Sequence, residues 1–450
     1  MQMEAKSINI LAPETWPFAL ESLPEDAWLV GGAVRDALLN RKSQNLDFDF
    51  VVRARSVETA RQMAKYYHAG FVVLDAERKI ARVVFDWGTV DFAKQEGVSL
   101  TTDLQRRDYR MNAIAYNPRT REFADPLQGR EDIQQRLIRM VSPTNLADDP
   151  LRLLRAYRQA AQLGFTIEPH TRGAIRQLAP MLGKVAAERV RTELSYILES
   201  ENGAPMVQAA GEDGLLNSWF PTATNKDWAL VVNIDTAASQ LAEIYPPLAA
   251  ELHRDLSSEL KISGYLPIAK LTCLVAQQPK IAEAQLQRLK YSRAEINAVL
   301  RVLRGWERLS PHVGAKHSGG QSLGKTDNVK TGMLRPDEDK PVSSMSVREM
   351  YFLFQEVGPM FPAFAAIAVA TGVPGNSLAE LVTRYLNPKD VVAHPVALVT
   401  GKELMAALPV PSGPQIGRLL EEINIAVGEG KITTPSEALQ FAAQLLDIVG

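Results

Sequence analysis

From residue 27 to about residue 94 the chain alternates short apolar runs with polar punctuation. AWLVGG, LDFDFVV, GFVVLD, KIARVVF and GTVDFA are too short for helices and rich in the residues strands favour. ARSVETARQMAKYY, between the second and third, carries helical spacing instead. Only Asp86 and Trp87 separate KIARVVF from GTVDFA, a hairpin spacing, so the pattern predicts a mixed α/β sheet and not a purely parallel one. After Pro150 the period changes. LRLLRAYRQAAQLGF, HTRGAIRQLAPML and AAERVRTELSYILES place apolar residues at i, i+3 and i+4, and helical patterning continues to about residue 310. Residues 311–345 are rich in Gly, Ser, Lys, Asp and Pro with few large apolar residues, which predicts a flexible linker or long loop. Helices resume at Ser346. FPAFAAIAVATGVPG at 361–375 is shorter than the ~20 residues a membrane span needs and is broken by Pro and Gly, so it is expected in a core.

Composition narrows the class. A chain of 450 residues, 46% hydrophobic and 23% charged, is globular and long enough for several domains. One cysteine, Cys273, excludes an intramolecular disulfide and a cysteine metal cluster, which fits a reducing cytoplasm. The N-terminal MQMEAKSINILAPETW has no basic flank followed by an apolar core, so no secretory signal and no membrane association are expected. The net charge of −2 argues against a broadly basic nucleic-acid binder. Between Arg136 and Glu193, however, ten Lys or Arg stand against five Asp or Glu. That excess would hold phosphates, or it is the solvated face of helices; charge alone leaves both open.

The chemistry concentrates in WLVGGAVRDALLNRKSQNLDFD. In a strand, residues i and i+2 share a face, so Asp47 and Asp49 project side by side while Leu46, Phe48 and Phe50 face the core. Two such carboxylates repel unless a cation lies between them, and hard oxygen donors suit Mg2+. Asp91, in TVDFA, has the same apolar flanks, and a sheet would bring it beside the pair for metal-assisted phosphoryl transfer. The pair taken alone is equally what an edge strand carries to keep other strands away. Gly31 and Gly32 end a strand just before a helix, where backbone N–H groups can face an anion, and Arg35 adds a positive charge one turn later.

GGAVRDALLN…LDFDFVV, RRDYRMNAIAYNP, DPLQGREDIQQRLIRMV and DDPLRLLRAYRQAAQLGF, in that order, resemble the successive motifs of class II tRNA nucleotidyltransferases and bacterial poly(A) polymerases. AAERVRTEL and DGLLNSWFP extend the resemblance over roughly residues 27 to 220. It implies an α+β fold: a nucleotidyltransferase head with a mixed β-sheet at 1–140, followed by an all-α neck at 141–200 with base recognition, a helical body at 201–310, the 311–345 linker, and a helical tail at 346–450. By resemblance Asp47 and Asp49 bind the catalytic metals, Asp91 joins them in catalysis, and Gly31, Gly32 and Arg35 hold the triphosphate. Arg107, Asp108 and Asn112 would contact the nucleotide sugar and select ribose. Asp149 and Arg152 would read the Watson–Crick edge of the incoming base, and Arg155 and Arg158 would continue that face toward nucleotide or primer phosphates. As i, i+3 neighbours, Asp149 and Arg152 are expected on one helical face, where a carboxylate accepts from a base amino group and a guanidinium donates to ring acceptors. DDPLR is also a common helix start, with Asp as N-cap and Pro following.

The resemblance also implies partners and product: tRNA, held at its 3′ end and at the acceptor and TψC elbow, with CTP and, in the alternative, ATP as substrates. Members that build all of CCA carry a longer, charged, flexible loop between the third carboxylate and the RRD motif. Here fourteen residues, FAKQEGVSLTTDLQ, join Asp91 to Arg106. The short form resembles the CC-adding subgroup, which leaves the terminal A to a separate enzyme. The alternatives are a full CCA-adding enzyme or poly(A) polymerase, and an RNA-binding protein with a dead head, which the intact motifs disfavour. The helix LPIAKLTCLVAQ lacks the His-Asp pair of members with an appended phosphohydrolase, so that activity is not expected. PSGPQIGRLLEEINIAVGEGKITTPSEAL resembles the tail of related enzymes, to grip the tRNA elbow or simply to pack helices.

Overall fold

The computed structural model describes residues 9–41, 46–256, 260, 262–309 and 342–449. Two compact units divide it, Met1–Val185 and Ala186–Gly450. In chain order the first contains β1 (Trp28–Val30), α1 (Gly32–Leu38), β2 (Leu46–Val52), α2 (Ser56–Tyr67), β3 (Gly70–Asp75), β4 (Ile80–Phe85), β5 (Gly88–Lys94), α3 (Leu100–Leu104), β6 (Ala115–Tyr116), β7 (Phe123–Ala124), α4 (Gly129–Gln134), β8 (Leu137–Ile138), α5 (Pro143–Asp148), α6 (Leu151–Leu163), β9 (Thr166–Ile167) and α7 (Pro169–Leu178).

Strands β1 to β7 form one sheet in the order β3-β4-β5-β2-β1-β6-β7. Only β2 and β5 run parallel; the other neighbours are antiparallel, so the sheet is mixed as the two-residue hairpin between β4 and β5 requires. All five strands expected from the apolar runs form. The two-residue strands β6 to β9 are additions; β8 and β9 pair with each other in parallel, away from the main sheet. The alternation in LDFDFVV sorts its side chains as expected: Phe48 and Phe50 are buried. Trp16 and Phe18 cover them, with ring centroids 5.2 and 5.1 Å from Phe48. Asp47 and Asp49 are thereby left on the opposite face.

Helix α6 buries Leu151, Leu153, Leu154, Ala156, Tyr157, Ala160 and Ala161 on its apolar side. Its start corrects one expectation. Asp149 is not helical: its φ of −136° and ψ of 92° are extended, because the residue before a proline is pushed out of the α region, and Pro150 takes the capping position. Asp149 and Arg152 therefore do not share a helical face. Asp149 instead accepts the Leu151 N–H at its side chain (3.3 Å) and the Arg152 N–H at its carbonyl (2.9 Å).

The second unit is helical, and no strand occurs among its described residues. Its helices run Ala187–Glu199, Gly203–Glu212, Asn225–Ile244, Pro246–Leu252, Tyr265–Leu274, Pro279–Arg288, Arg293–Leu309, Val347–Val357, Phe361–Ala370, Ala379–Leu386, Gly401–Ala407, Pro414–Gly428 and Pro435–Val449. The run Val347–Ala370 has the length and apolarity of a membrane span, yet 72% of its most apolar window is buried inside the unit. The last three helices share an apolar cluster that includes Leu404, Leu419, Ile423, Ala438 and Ala442. Most of the expected 311–345 linker lies outside the described residues. Its end is not a loop: Val342–Ser344 forms a 3-10 turn, with Val342 and Met345 buried as apolar anchors.

Candidate active site

The parallel pairing of β2 with β5 sets Asp47 opposite Thr89 and Asp49 opposite Asp91. Each carboxylate meets a different environment. Asp47 is exposed and accepts from the Thr89 hydroxyl at 2.8 Å. Asp91 has both oxygens engaged by Arg82, through Nε and Nη2 at 2.8 Å each. Asp49 lies between them, half-buried, and its carboxyl is pushed up to about 6 by burial first and by Asp91 and Asp47, against the pull of Arg107 and Arg82. Among the described residues no group of three or more His, Cys, Asp or Glu is arranged to hold a metal. The residues there that could hold a metal are Asp47 and Asp49, with Asp91 occupied by its arginine. Two hard carboxylates, one strained toward protonation, fit a divalent cation that takes one or two carboxylates and completes its shell with substrate oxygens.

Strand β1 delivers the glycines to the same face. Gly31 has a φ of +74°, and a Cβ there would lie 3.3 Å from Nη1 of Arg107 and 3.6 Å from Oδ2 of Asp49. Glycine thus provides both the left-handed turn into α1 and the close approach of backbone to the Arg107 and Asp49 side chains. Arg35, on α1, donates from Nη1 to Oδ1 of Asn112 at 2.8 Å and pairs with Asp36. Arg107 reaches Asp103 on α3 at 3.4 Å. The connection from Asp91 to Arg106 is closed on itself. Asp103 accepts the Glu96 N–H at 2.9 Å, Glu96 pairs with Arg106, and Ser99 caps α3.

Below the glycines lies a buried polar network. Asp108 accepts from the Tyr109 N–H at 2.8 Å and from Nδ2 of Asn112 at 3.0 Å, and meets Arg155 of α6 at 3.1 Å. Burial alone would raise its pKa, but the Arg155 guanidinium and these hydrogen bonds hold the carboxyl below its usual range. Gln159, one turn further along α6, accepts from Nδ2 of Asn112 at 3.0 Å. Arg155 is thus turned inward to Asp108, whereas Arg158 donates to Gln162 on its own helix.

Arg152, at the start of α6, donates through Nη1 to the carbonyls of Arg106 (2.9 Å) and Asn145 (3.0 Å). Asn145 in turn donates to the carbonyls of Gln105 and Arg107, both at 2.8 Å. The consecutive residues Arg106 and Arg107 therefore link two parts of the constellation: the Arg106 carbonyl accepts from Arg152 at the start of α6, and the Arg107 guanidinium lies beside Gly31 and acts on Asp49 through its charge. All the sequence-predicted residues from Gly31 to Arg158 fall in the first unit. Sequence reasoning overlooked Arg82, Asp103, Asn145 and Gln159. Arg82 was within reach: a two-residue turn that pairs Phe85 with Gly88 puts Arg82 opposite Asp91.

Comparison with known proteins is consistent along the chain. The family described as Poly A polymerase head domain matches residues 27–139, that described as Probable RNA and SrmB- binding site of polymerase A matches 164–226, and that described as tRNA nucleotidyltransferase domain 2 putative matches 325–443. The chain is 46% identical over 432 residues to the CC-adding tRNA nucleotidyltransferase of Synechocystis sp., covering 95% of this chain and 96% of the relative. It is 29% identical over 433 residues to the CC-adding tRNA nucleotidyltransferase of Geobacter sulfurreducens, covering 93% and 91%. Among solved structures, the Thermotoga maritima CCA-adding enzyme complexed with tRNA shares the fold with a TM-score of 0.64 at 21% identity, over 93% of this chain and 91% of that one. The chain belongs to the family of tRNA nucleotidyltransferases and bacterial poly(A) polymerases.

Proposed function

We propose that the chain adds cytidines from CTP to the 3′ end of tRNA, without a nucleic-acid template, and stops after two. The observation that carries this reading is the Arg106–Arg107 link, which joins the start of the base-facing helix to the carboxylate face. The subgroup rests on the short connection after Asp91, closed by Glu96, Asp103 and Arg106, and on the similarity to relatives named as CC-adding.

In this reading the 3′ hydroxyl of the RNA attacks the α-phosphorus of CTP, the bond to the β-phosphate breaks, and pyrophosphate leaves with the electron pair. Asp47 and Asp49 would hold Mg2+, which when bound neutralises phosphate charge and acidifies the attacking hydroxyl. Asp91 acts through Arg82, as a positioning residue, because both its oxygens are engaged. Gly31 and Gly32 let the triphosphate approach the backbone, with Arg35 as its counter-charge. Arg107, Asp108 and Asn112 form and orient the ribose contact. Asp149 and Arg152 read the cytosine edge, and the two carbonyls on Arg152 fix its guanidinium before the nucleotide arrives, so little ordering entropy remains to be lost on binding. Arg155 supports Asp108, and Arg158, which donates to Gln162, would turn to a phosphate.

The test is single-nucleotide incorporation. With tRNA truncated before its terminal CCA and each of the four nucleoside triphosphates offered alone, the reading expects CMP transfer only. Equal transfer of UMP would contradict base reading by Asp149 and Arg152.

A further inference from the structure

The buried network contains one side chain with no assigned task. Gln159 is 2% exposed on a helix whose other buried positions are almost all apolar. Its Oε1 accepts from Nδ2 of Asn112 at 3.0 Å and lies 3.5 Å from Nη1 of Arg35. Asn112 is thereby committed in three directions: its Oδ1 accepts from Arg35, and its amide nitrogen donates to Asp108 and to Gln159. Reversing either amide would set donors against donors, so the pair has one arrangement. Arg155 and Gln159 are four residues apart and lie on one face of α6, where they grip Asp108 and Asn112 together.

We propose that Gln159 is a positioning residue for the nucleotide sugar: its side-chain oxygen fixes the Asn112 amide and the Arg35 guanidinium against α6, so that the ribose and phosphate contacts hold one register with the base-reading start of that helix. This rests on the reading above in which Asn112 helps orient the ribose contact. Without the acceptor, one buried N–H of Asn112 loses its partner and the amide gains a second orientation, which weakens discrimination between ribose and deoxyribose.

The experiment measures kcat and KM for CTP and for dCTP on tRNA truncated before CCA, with full-length protein carrying Gln159→Leu, Gln159→Glu, Asn112→Ala, or Gln159→Leu with Asn112→Ala. Gln159→Leu should lower the preference for CTP over dCTP by about fivefold to tenfold, the worth of one buried hydrogen bond, mainly through KM for CTP. Gln159→Glu keeps an acceptor oxygen and should stay within about threefold of wild type, since both contacts use Gln159 only as acceptor. In preference for CTP over dCTP the double variant should be no worse than Asn112→Ala, because Gln159 reaches the sugar through that amide. A folded Gln159→Leu with full sugar preference, or losses that multiply in the double variant, would overturn the proposal. If the leucine variant does not fold, Gln159→Met makes the same comparison with a more adaptable side chain. Wild-type protein that transfers no CMP would instead overturn the functional reading beneath it.

Discussion

Asp49 concentrates the physics of the site in one carboxyl. Burial, Asp91 and Asp47 push it from 3.8 to about 6. A carboxyl raised on folding binds its proton more tightly in the native state, so its stabilising contribution is complete below the unfolded value and is lost as pH rises through the folded one. The shift is worth at most about 3 kcal/mol. In metal-free protein, Asp49→Asn should therefore raise stability by about 1 to 3 kcal/mol at pH 8 and by almost nothing near pH 4, measured by urea unfolding in EDTA. A gap unchanged between the two pH values would show that Asp49 is not strained. The same variant, like Asp47→Ala, should cut CMP transfer by at least about a thousandfold, since several kcal/mol of charge stabilisation goes with the cation. Asp149→Ala should leave triphosphate binding nearly intact yet reduce the preference for CTP over UTP by about 1 to 3 kcal/mol, read from paired kcat/KM values; an unchanged preference in folded protein would remove Asp149 from base reading. The side-by-side carboxylates were legible because the strand period is two and their apolar neighbours have only one dry side to face. The extended backbone of Asp149 was legible too, through Pro150, but the i, i+3 spacing is the louder signal and points the wrong way.

At the scale of elements, the segment from Asp91 to Arg107 decides how much the site can rearrange. It is the end of β5, a turn and a short helix, α3, tied at Glu96, Asp103 and Arg106 and clamped from outside by Asn145. Gly97 has a φ of +82°, and a Cβ there would fall 2.5 Å from Cγ2 of Thr102, so the turn closes only on glycine. Asn145→Ala removes two part-buried hydrogen bonds, to the carbonyls of Gln105 and Arg107, and should cost about 1 to 3 kcal/mol of stability. It should also raise KM for CTP, because Arg107 and Arg152 both depend on the clamped backbone. Thermal unfolding and steady-state kinetics check the pair; a stability loss with unchanged KM would separate the clamp from nucleotide binding. Strands β2 to β5 and α6 declared themselves by length and pattern, which need four or more residues to show, and the three-residue β1 by its apolar run ending at Gly31. Strands β6 to β9, two residues each, cannot carry a period and exist because neighbouring backbone offers them partners. Gln159 was hidden for the opposite reason: a single polar residue on a helix reads as solvent-facing unless its partners, Asn112 and Arg35, are already in place.

For the whole molecule, the change from alternating strand and helix patterns to helices alone after Pro150 was plain in the sequence, because the two periods differ and the apolar runs lengthen. Patterning alone does not say what the helices of the second unit bind, since burying an apolar stripe satisfies the same spacing. The product follows from the connection after Asp91: it is short and internally bonded, which leaves nothing to stabilise a second arrangement of the proposed base-reading groups for ATP after two cytidines. The most direct measurement offers tRNA lacking its 3′ CCA to the full-length protein with CTP alone, ATP alone and both together, and resolves products one nucleotide apart. Two added cytidines are expected wherever CTP is present and no added A in any lane; efficient completion to CCA with both nucleotides, or a long A tract with ATP, would contradict CC-only addition.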